Sequence, residues 1–289
     1  MLKPIQSQTT TLCYSNLTWL TTKVQAFKQL PVTTVVKPSF MLIDDNNYLV
    51  TLSYYGNLTQ MDRNTLNVIS STVLPSFCAG LGYNNGYYYI GCDSPRIIYV
   101  YSSKNLTRGS LVNITTTGNP REVKFIQNST IMIVATEYTQ VLSFYRVCAP
   151  GSNYSFMYSV PAPKTSPYSL YKINDTFLYL IHYYNSTSIY KMILSGNNSN
   201  WTFVPLPNTA TSLKFPVQMA IDFCGRIWFA IYGLGVNIYD PTGSILLATW
   251  PVSTGVNGIL MVDNYELYLA DYDNNQLLHF TPNLQCSLP

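Results

Sequence analysis

The residue types that most often hold catalytic metals are scarce in this chain. Histidine occurs twice, as His182 and His279, and a catalytic multi-histidine zinc centre needs three protein ligands. Such a centre is therefore excluded by count. Each histidine lies in an apolar run, FLYLIHY or QLLHF, and we expect both to be ordinary strand residues.

Asparagine offers a different chemistry, because Asn-x-Ser/Thr is the acceptor sequence for N-linked glycans. The chain holds ten such sequons, whereas composition alone predicts roughly five. Most of them fall in predicted turns and loops, where a glycan attaches without breaking a core. The predicted glycosylation sites are Asn16, Asn57, Asn105, Asn113, Asn128, Asn153, Asn174, Asn185, Asn197 and Asn200. The set predicts an extracellular protein, and residues 201–289 carry no sequon.

A repeat of roughly 40 to 45 residues positions these groups. Apolar residues followed by proline close strand-like runs at spacings of 44, 86, 46 and 44 residues. These pairs are Leu30-Pro31, Leu74-Pro75, Val160-Pro161, Leu206-Pro207 and Trp250-Pro251. In a second register, a strand rich in aromatic and β-branched residues begins six times, at Tyr48, Tyr87, Ile131, Phe177, Ile227 and Leu267. Each copy has a shorter apolar run on either side, so the unit predicts a four-stranded propeller blade.

The chain ends predict how the ring closes. The last copy has only three strands, whereas residues 22–30 form a strand that belongs to no complete unit. Pairing the two removes an exposed edge. The sequence therefore predicts an all-β, six-bladed β-propeller with four-stranded antiparallel blades, the last closed by the N-terminal strand. We expect residues 22–289 to form this domain and residues 1–21 an N-terminal arm. A two-sheet sandwich fits six equal units poorly.

The six cysteines contain no C-x-x-C pair, which favours disulfides in an oxidising compartment. Cys78 and Cys92 flank the turn Asn84-Asn85-Gly86, and a three-residue loop would place them opposite each other. Cys13 and Cys286 both fall where the ring closes, so a bond between them would lock it. By subtraction, Cys148 and Cys224 form the third pair, with free thiols or links between chains as alternatives.

Calcium is the remaining metal to consider, because its ligands are oxygens. At the channel mouth, where the innermost strands of a propeller begin, the weak candidate ligands are Glu122, Gln218 and Asn257. The other three blades place Ser39, Phe77 and Tyr168 there. One carboxylate among six positions is too little for a cation that takes six to eight oxygens. We therefore expect no catalytic residues, no metal and no cofactor.

Two segments near the C-terminus resemble a known family. The run YLADYDNNQLLHF (268–280) resembles the NHL repeat, in which an aliphatic strand ends in Ala-Asp and the turn carries Asn-Asn. The segment DFCGRIWFAIYGLGVNIYDPTG (222–243) looks like the same unit in the related lyase and lactonase-like six-bladed propellers. The resemblance covers about 80 residues, and it implies that Asp271 and Asn274 brace a turn. It also implies the fold, but no particular activity.

The amino-acid composition limits the classes of partner that this chain is expected to bind. Charged residues make up 10% of the chain, against roughly 25% in typical soluble domains. The net charge of +3 is not clustered, so nucleic acid is an unfavoured partner. No run reaches the ~18 apolar residues of a membrane span. We expect a secreted, non-enzymatic structural or interaction subunit of an extracellular fibre, coat or matrix, partnered by other protein subunits through self-assembly. A calcium-dependent lactonase-like hydrolase is the alternative.

Overall fold

The computed structural model describes residues 28–29, 33–75, 77–183, 189–195, 200–207, 215–222, 224–262 and 266–281. Two short N-terminal strands, β1 (Lys28–Gln29) and β2 (Thr33–Thr34), come first. The first blade consists of β3 (Pro38–Ile43), β4 (Tyr48–Ser53), β5 (Asn57–Asp62) and β6 (Val68–Val73). The second consists of β7 (Cys78–Asn84), β8 (Tyr87–Cys92), β9 (Ile97–Ser102) and β10 (Val112–Thr115). A single 3-10 turn (Leu106–Arg108) precedes β10.

Four further antiparallel sheets follow in chain order. The third blade consists of β11 (Asn119–Ile126), β12 (Ile131–Glu137), β13 (Val141–Ala149) and β14 (Asn153–Pro161). The fourth consists of β15 (Pro167–Asn174), β16 (Phe177–His182), β17 (Ile189–Leu194) and β18 (Trp201–Pro205). The fifth consists of β19 (Pro216–Ile221), β20 (Ile227–Ile231), β21 (Gly235–Tyr239) and β22 (Leu246–Trp250). The sixth has β23 (Val256–Met261), β24 (Leu267–Asp271) and β25 (Gln276–Thr281).

The first strands of neighbouring blades contact one another around a closed ring, including β23 with β3. The predicted six-bladed, all-β propeller is therefore confirmed. All six second strands begin at the predicted residues. Among the described residues, no helix is long and apolar enough to cross a bilayer.

The N-terminal strands complete the sixth blade. Lys28 and Gln29 of β1 pair with Thr281 and Phe280 of β25, and Thr33 and Thr34 of β2 pair with the other end of β25. The predicted closing strand is thus present in its described part. Residues 1–21, proposed as an arm, lie outside the described residues. An ion pair between Arg63 and Glu266 also joins the first blade to the sixth.

Six apolar clusters fill the ring, each centred between two neighbouring blades, and the one between the first and second also includes Tyr168 and Val217 from across the channel. Strand β12 explains why: Met132 and Val134 pack against the second blade, whereas Ile133 and Ala135 pack against the fourth. Side chains of a strand alternate between faces, so a blade buried on both faces needs a continuous apolar run. This is why the second strands were the clearest signal in the sequence.

The same β-bulge recurs at the start of the first strand in every blade. One extra residue enters the first strand where it meets the second. The extra residues are Ser39, Ala79, Tyr168, Val217 and Asn257, and in the third blade Arg121 and Glu122 together lie opposite Ala135. Bulges re-aim side chains at the rims of closed sheets, and here they do so at the channel mouth.

Local bonds confirm two expectations about the turns. The Asp271 carboxylate accepts hydrogen bonds from the Asn274 amide at 2.9 Å and the Gln276 amide at 2.8 Å, which is the turn-bracing role implied by the NHL resemblance. Cys78 and Cys92 form a disulfide. The two cysteines lie opposite each other for a different reason from the one we expected. The turn has two residues, Asn85 and Gly86, rather than three. The extra residue Ala79 in the first strand shifts the pairing by one position and so brings Cys78 opposite Cys92.

The predicted pair Cys148–Cys224 is wrong. Cys148 is a free, exposed thiol on β13, whereas Cys224 is disulfide-bonded. The pair was obtained by subtraction, which requires that all six cysteines form disulfides. Cys148 lies exposed on β13, and nothing about this position requires it to form one. Cys13 and Cys286 lie outside the described residues.

Candidate binding surface

The predicted oxygen ligands do not converge on one point. The Glu122 carboxylate accepts hydrogen bonds from the Ser169 hydroxyl and, at 2.9 Å, from the Leu170 N–H. It also forms an ion pair of 2.5 Å with Lys124. The oxygens of the Glu122 carboxylate are therefore occupied by protein donors. The bonds from Ser169 and Leu170 join the third blade to the fourth.

Gln218 has the same joining role two steps further around the ring, between the fifth and sixth blades. Its amide oxygen accepts a hydrogen bond of 3.2 Å from the Ile259 N–H of the sixth blade. Asn257 is half-buried at a bulge of that blade. No group of three or more His, Cys, Asp or Glu that could hold a metal occurs in the part of the chain that the structure describes.

Both histidines lie in strands, β16 and β25, as predicted. The His182 Nδ1 lies 2.9 Å from the Thr165 carbonyl oxygen, and burial lowers the pKa of His182 to about 4. His279 stacks on Tyr268 with ring centroids 4.2 Å apart and lies 2.9 Å from Glu266. Burial lowers the pKa of His279, against the opposing effect of Glu266. Both rings are buried packing groups.

Packed side chains close the channel at its mouth. Phe40 of the first blade and Tyr168 of the fourth have ring centroids 5.9 Å apart. The Arg121 guanidinium lies 5.6 Å from the Tyr168 ring centroid and pairs with Asp93 and Glu137. Burial alone would lower the pKa of Arg121, but Tyr168, Glu137 and Asp93 hold it above its usual range. Arg121 therefore stays charged while it links three blades.

A cavity of about 330 Å³ lies further along the channel, beside the first strands of blades one to three. Lys124 and Lys172 line it, but both ammonium groups are already used. Lys124 pairs with Glu122, whereas Lys172 pairs with Asp175 at 2.6 Å and donates to the Phe125 carbonyl at 2.7 Å. The cavity therefore offers little unpaired charge to a ligand.

The face around the mouth, called here the mouth face, is aromatic. It is the end of the ring where first strands begin and second strands end. The residue directly after the second strand is tyrosine in five blades and aspartate in the remaining one. These residues are Tyr54, Asp93, Tyr138, Tyr183, Tyr232 and Tyr272. The tyrosines are visible in the sequence, at the residue after each of five apolar second strands, but they were not identified there as a shared surface.

Several of these tyrosines contact the residue that precedes the first strand of the next blade. Tyr54 packs on Phe77 with ring centroids 5.7 Å apart, as does Tyr183 on Phe215. The Lys37 ammonium lies 4.5 Å from the centroid of the Tyr272 ring. At the mouth face, neighbouring blades are therefore held together by contacts of these rings, which remain partly exposed.

One part of this surface is continuous, and we call it the aromatic strip. The Tyr232 hydroxyl donates to Asp273 at 3.1 Å, Asp273 lies 3.9 Å from Lys37, and Lys37 covers Tyr272. Ring contacts of 5.7 to 6.4 Å then connect Tyr272 to Tyr54, Tyr55 and Phe77. The strip comprises Tyr232, Asp273, Lys37, Tyr272, Tyr54, Tyr55 and Phe77.

The predicted glycosylation sites lie mainly on the opposite face, called here the far face, which carries the turns between first and second and between third and fourth strands. Its sequon asparagines are all exposed; they are Asn105, Asn128, Asn153, Asn174 and Asn200. Asn113 is exposed within β10, and Asn57 is half-buried at the mouth-face end of β5. Asn16, Asn185 and Asn197 lie outside the described residues.

No family model matches the chain, and no curated protein sequence matches it. Solved structures do. The Cps50 (Swd1) β-propeller domain of Myceliophteria thermophila superposes with a TM-score of 0.68 and 9% identity, over 88% of this chain and 99% of that one. The hydrazine synthase of Kuenenia stuttgartiensis gives a TM-score of 0.64 and 11% identity, over 88% and 97%. At such identities the likeness establishes a β-propeller fold and nothing about activity.

Proposed function

We propose that this chain is a secreted, N-glycosylated β-propeller that serves as a non-enzymatic structural or interaction subunit of an extracellular assembly such as a fibre, coat or matrix. Its partners in this proposal are other protein subunits, including further copies of itself. The disulfide between Cys78 and Cys92 supports an oxidising compartment. The exposed sequon asparagines of the far face support glycosylation.

The observation that carries the assembly proposal is a set of exposed apolar residues at the two ends of the sequon-free fifth blade. Ile245 is 59% exposed, Leu246 45% and Leu234 39%. Exposed apolar groups that no glycan screens mark interaction surfaces. Of the tyrosines in the sequon-free blades, Tyr239 is buried, whereas Tyr232 and Tyr272 are half-buried.

The predicted arm is the second proposed contact. An extended segment can add to a neighbour's outer strand through main-chain hydrogen bonds. The arm lies outside the described residues, so this part of the proposal depends on its sequence alone.

A non-enzymatic role is supported by what the candidate ligands already do. Glu122 and Gln218 bind protein groups of the next blade, which leaves little for a calcium ion. The hydrolase alternative has no observation in its favour. Metal analysis of the purified protein separates the two, because the hydrolase requires a stoichiometric calcium ion.

Light scattering tests the assembly. We expect the native glycoprotein to form oligomers, and we expect Leu246→Asp and Ile245→Asp, or deletion of residues 1–12, to reduce their size. Phe156→Asp is the matched control, because Phe156 is 57% exposed on the outer strand of the third blade, which begins with a sequon. A native protein that stays monomeric at high concentration contradicts the proposal.

A further inference from the structure

The aromatic strip is an exposed apolar surface that borders the proposed subunit contact at Leu234. Tyr55 is 51% exposed and Phe77 44%. Burying such side chains would be favourable, and the structure instead holds them outward. Several features fix them there.

The backbone around these rings is rigid. Phe77 adopts a φ of 64°, which is unfavourable for a bulky residue. Its carbonyl accepts the Asp93 N–H at 2.8 Å, and the Tyr54 carbonyl accepts the Cys78 N–H at 3.2 Å. The Cys78–Cys92 disulfide lies directly beside Phe77. Lys37, Ser166 and Phe215, which precede the first strands of three other blades, also have a positive φ, so this conformation belongs to the repeat and fixes Phe77 as part of it.

Gly56 holds the other side of the turn. Its φ is 93°, and an added Cβ would lie 2.7 Å from the carbonyl oxygens of Leu74 and Pro75. The turn that presents Tyr54 and Tyr55 therefore has little freedom. A ligand that binds the rings loses little free energy to ordering them.

The charges within the strip restrict the ligand. Lys37 and Asp273 lie 3.9 Å apart and offset each other, so the strip as a whole is neutral. Nucleic acid requires unpaired cations along its backbone, which the strip does not supply. A cationic ligand would be repelled by Lys37, which covers the Tyr272 ring and already offsets the charge of Asp273.

What remains is an uncharged ligand with both apolar and hydrogen-bonding faces. A sugar ring has this character: its C–H face packs flat on an aromatic ring, and its hydroxyls donate to carboxylates. In the strip, Tyr55 and Phe77 supply exposed rings, and Asp273, with 43% of its side chain exposed, supplies acceptors. The Tyr232 hydroxyl lies next to that carboxylate.

We propose that the aromatic strip binds a neutral oligosaccharide, with sugar rings stacked on Tyr55 and Phe77 and hydroxyls bonded to Asp273. Five of the seven described sequon asparagines lie on the opposite face, whereas the half-buried Asn57 lies on the mouth face two residues from Tyr55. Tyr232 and Leu234 lie in the same turn of the fifth blade, so the strip borders one of the proposed subunit contacts, whereas Ile245 and Leu246 lie at the other end of that blade.

The test is calorimetric titration of the purified glycoprotein with four neutral probes, namely cellohexaose, maltohexaose, laminarihexaose and chitohexaose. We expect saturable binding of at least one. Tyr55→Ala and Phe77→Ala should each weaken it about tenfold, the effect of losing a central contact residue. Asp273→Asn should weaken it as well. Tyr138→Ala is the control, because Tyr138 is 66% exposed on the same face but outside the strip.

Circular dichroism and mapping of the Cys78–Cys92 peptide establish that each variant is folded. Absence of saturable binding to all four sugars overturns the proposal. So does binding that survives both ring substitutions. A decaproline peptide is titrated in parallel, because proline-rich segments also dock on aromatic surfaces; binding of this peptide in place of the sugars assigns the strip to a protein partner.

Discussion

Phe40 and Tyr168 belong to blades on opposite sides of the ring, and their ring centroids lie 5.9 Å apart across the channel. The first and fourth blades have no shared sheet, so this contact is what joins them directly. Tyr168 also stacks on Tyr183 with centroids 4.9 Å apart. Packed side chains therefore fill the mouth of the channel. A ligand that approaches the mouth contacts the outer surface of this layer.

Removing one ring of this layer should be costly. We expect Phe40→Ala to lower the free energy of unfolding by about 3–5 kcal/mol, the range for deleting a buried aromatic side chain. Urea unfolding measures it. Exposed Phe77→Ala is the matched control and should change stability far less. Equal losses from the two substitutions would mean that the channel layer does not contribute to stability.

The pKa of His182 should make stability depend on pH. Burial lowers this pKa to about 4, from an ordinary value near 6.5. Between these values the unfolded chain binds a proton that the folded chain does not, so stability falls as pH decreases through this window. The full difference is about 3 kcal/mol. It is regained above pH 6.5.

Urea unfolding of the wild-type protein and His182→Gln at pH 7 and pH 5 checks this expectation. The variant lacks the titrating group, so its stability should fall less between the two pH values. Because carboxylates titrate in both proteins, only the difference between the two slopes is informative. Identical slopes would show that His182 is protonated equally in the folded and unfolded chains.

Glycan occupancy should follow exposure. We expect glycans on Asn105, Asn128, Asn153, Asn174 and Asn200. Asn57 should be the least occupied described site, because it is half-buried. Mass spectrometry of glycopeptides measures occupancy site by site. An intact mass near 32.6 kDa before glycosidase treatment would refute glycosylation altogether.

The cysteines should react unequally. Cys148 is exposed and free, so maleimide should label it in the native protein, whereas Cys78 and Cys92 should be labelled only after reduction. Non-reducing peptide mapping should recover the Cys78–Cys92 pair and no Cys148–Cys224 pair. The same map identifies the cysteine bonded to Cys224. Recovery of a Cys148–Cys224 peptide would show that the third blade packs differently.

The parts of the fold that the sequence predicted are those determined locally. An apolar run after a turn, such as IMIVATE after IQNS, defines a buried second strand without reference to the rest of the chain, and all six starts are correct. The closing strand was predictable by counting, because a ring needs a partner for β25. The NHL resemblance gave the right fold, although no family model supports membership.

The features that the sequence did not predict are contacts between blades, which form only in the closed ring. The contact between Phe40 and Tyr168 joins residues of opposite blades, which no local pattern encodes. The bonds that occupy Glu122 come from the fourth blade, so its availability as a ligand could not be judged from its neighbours. The tyrosine after each second strand was visible, but only the closed ring turns five separate residues into one surface.

At the bulge that starts each first strand, the extra residue is not paired with any residue of the second strand. The second strand pairs with the residues on either side of the extra one, so that one position per blade can change chemistry without shifting the rest of the sheet. The residues found there differ accordingly, from Ser39 and Ala79 to Tyr168 and Asn257. Substitutions at these positions would alter the channel mouth without shifting the strand register, but not without cost to stability, since Tyr168 packs on Phe40 in the layer that fills the mouth.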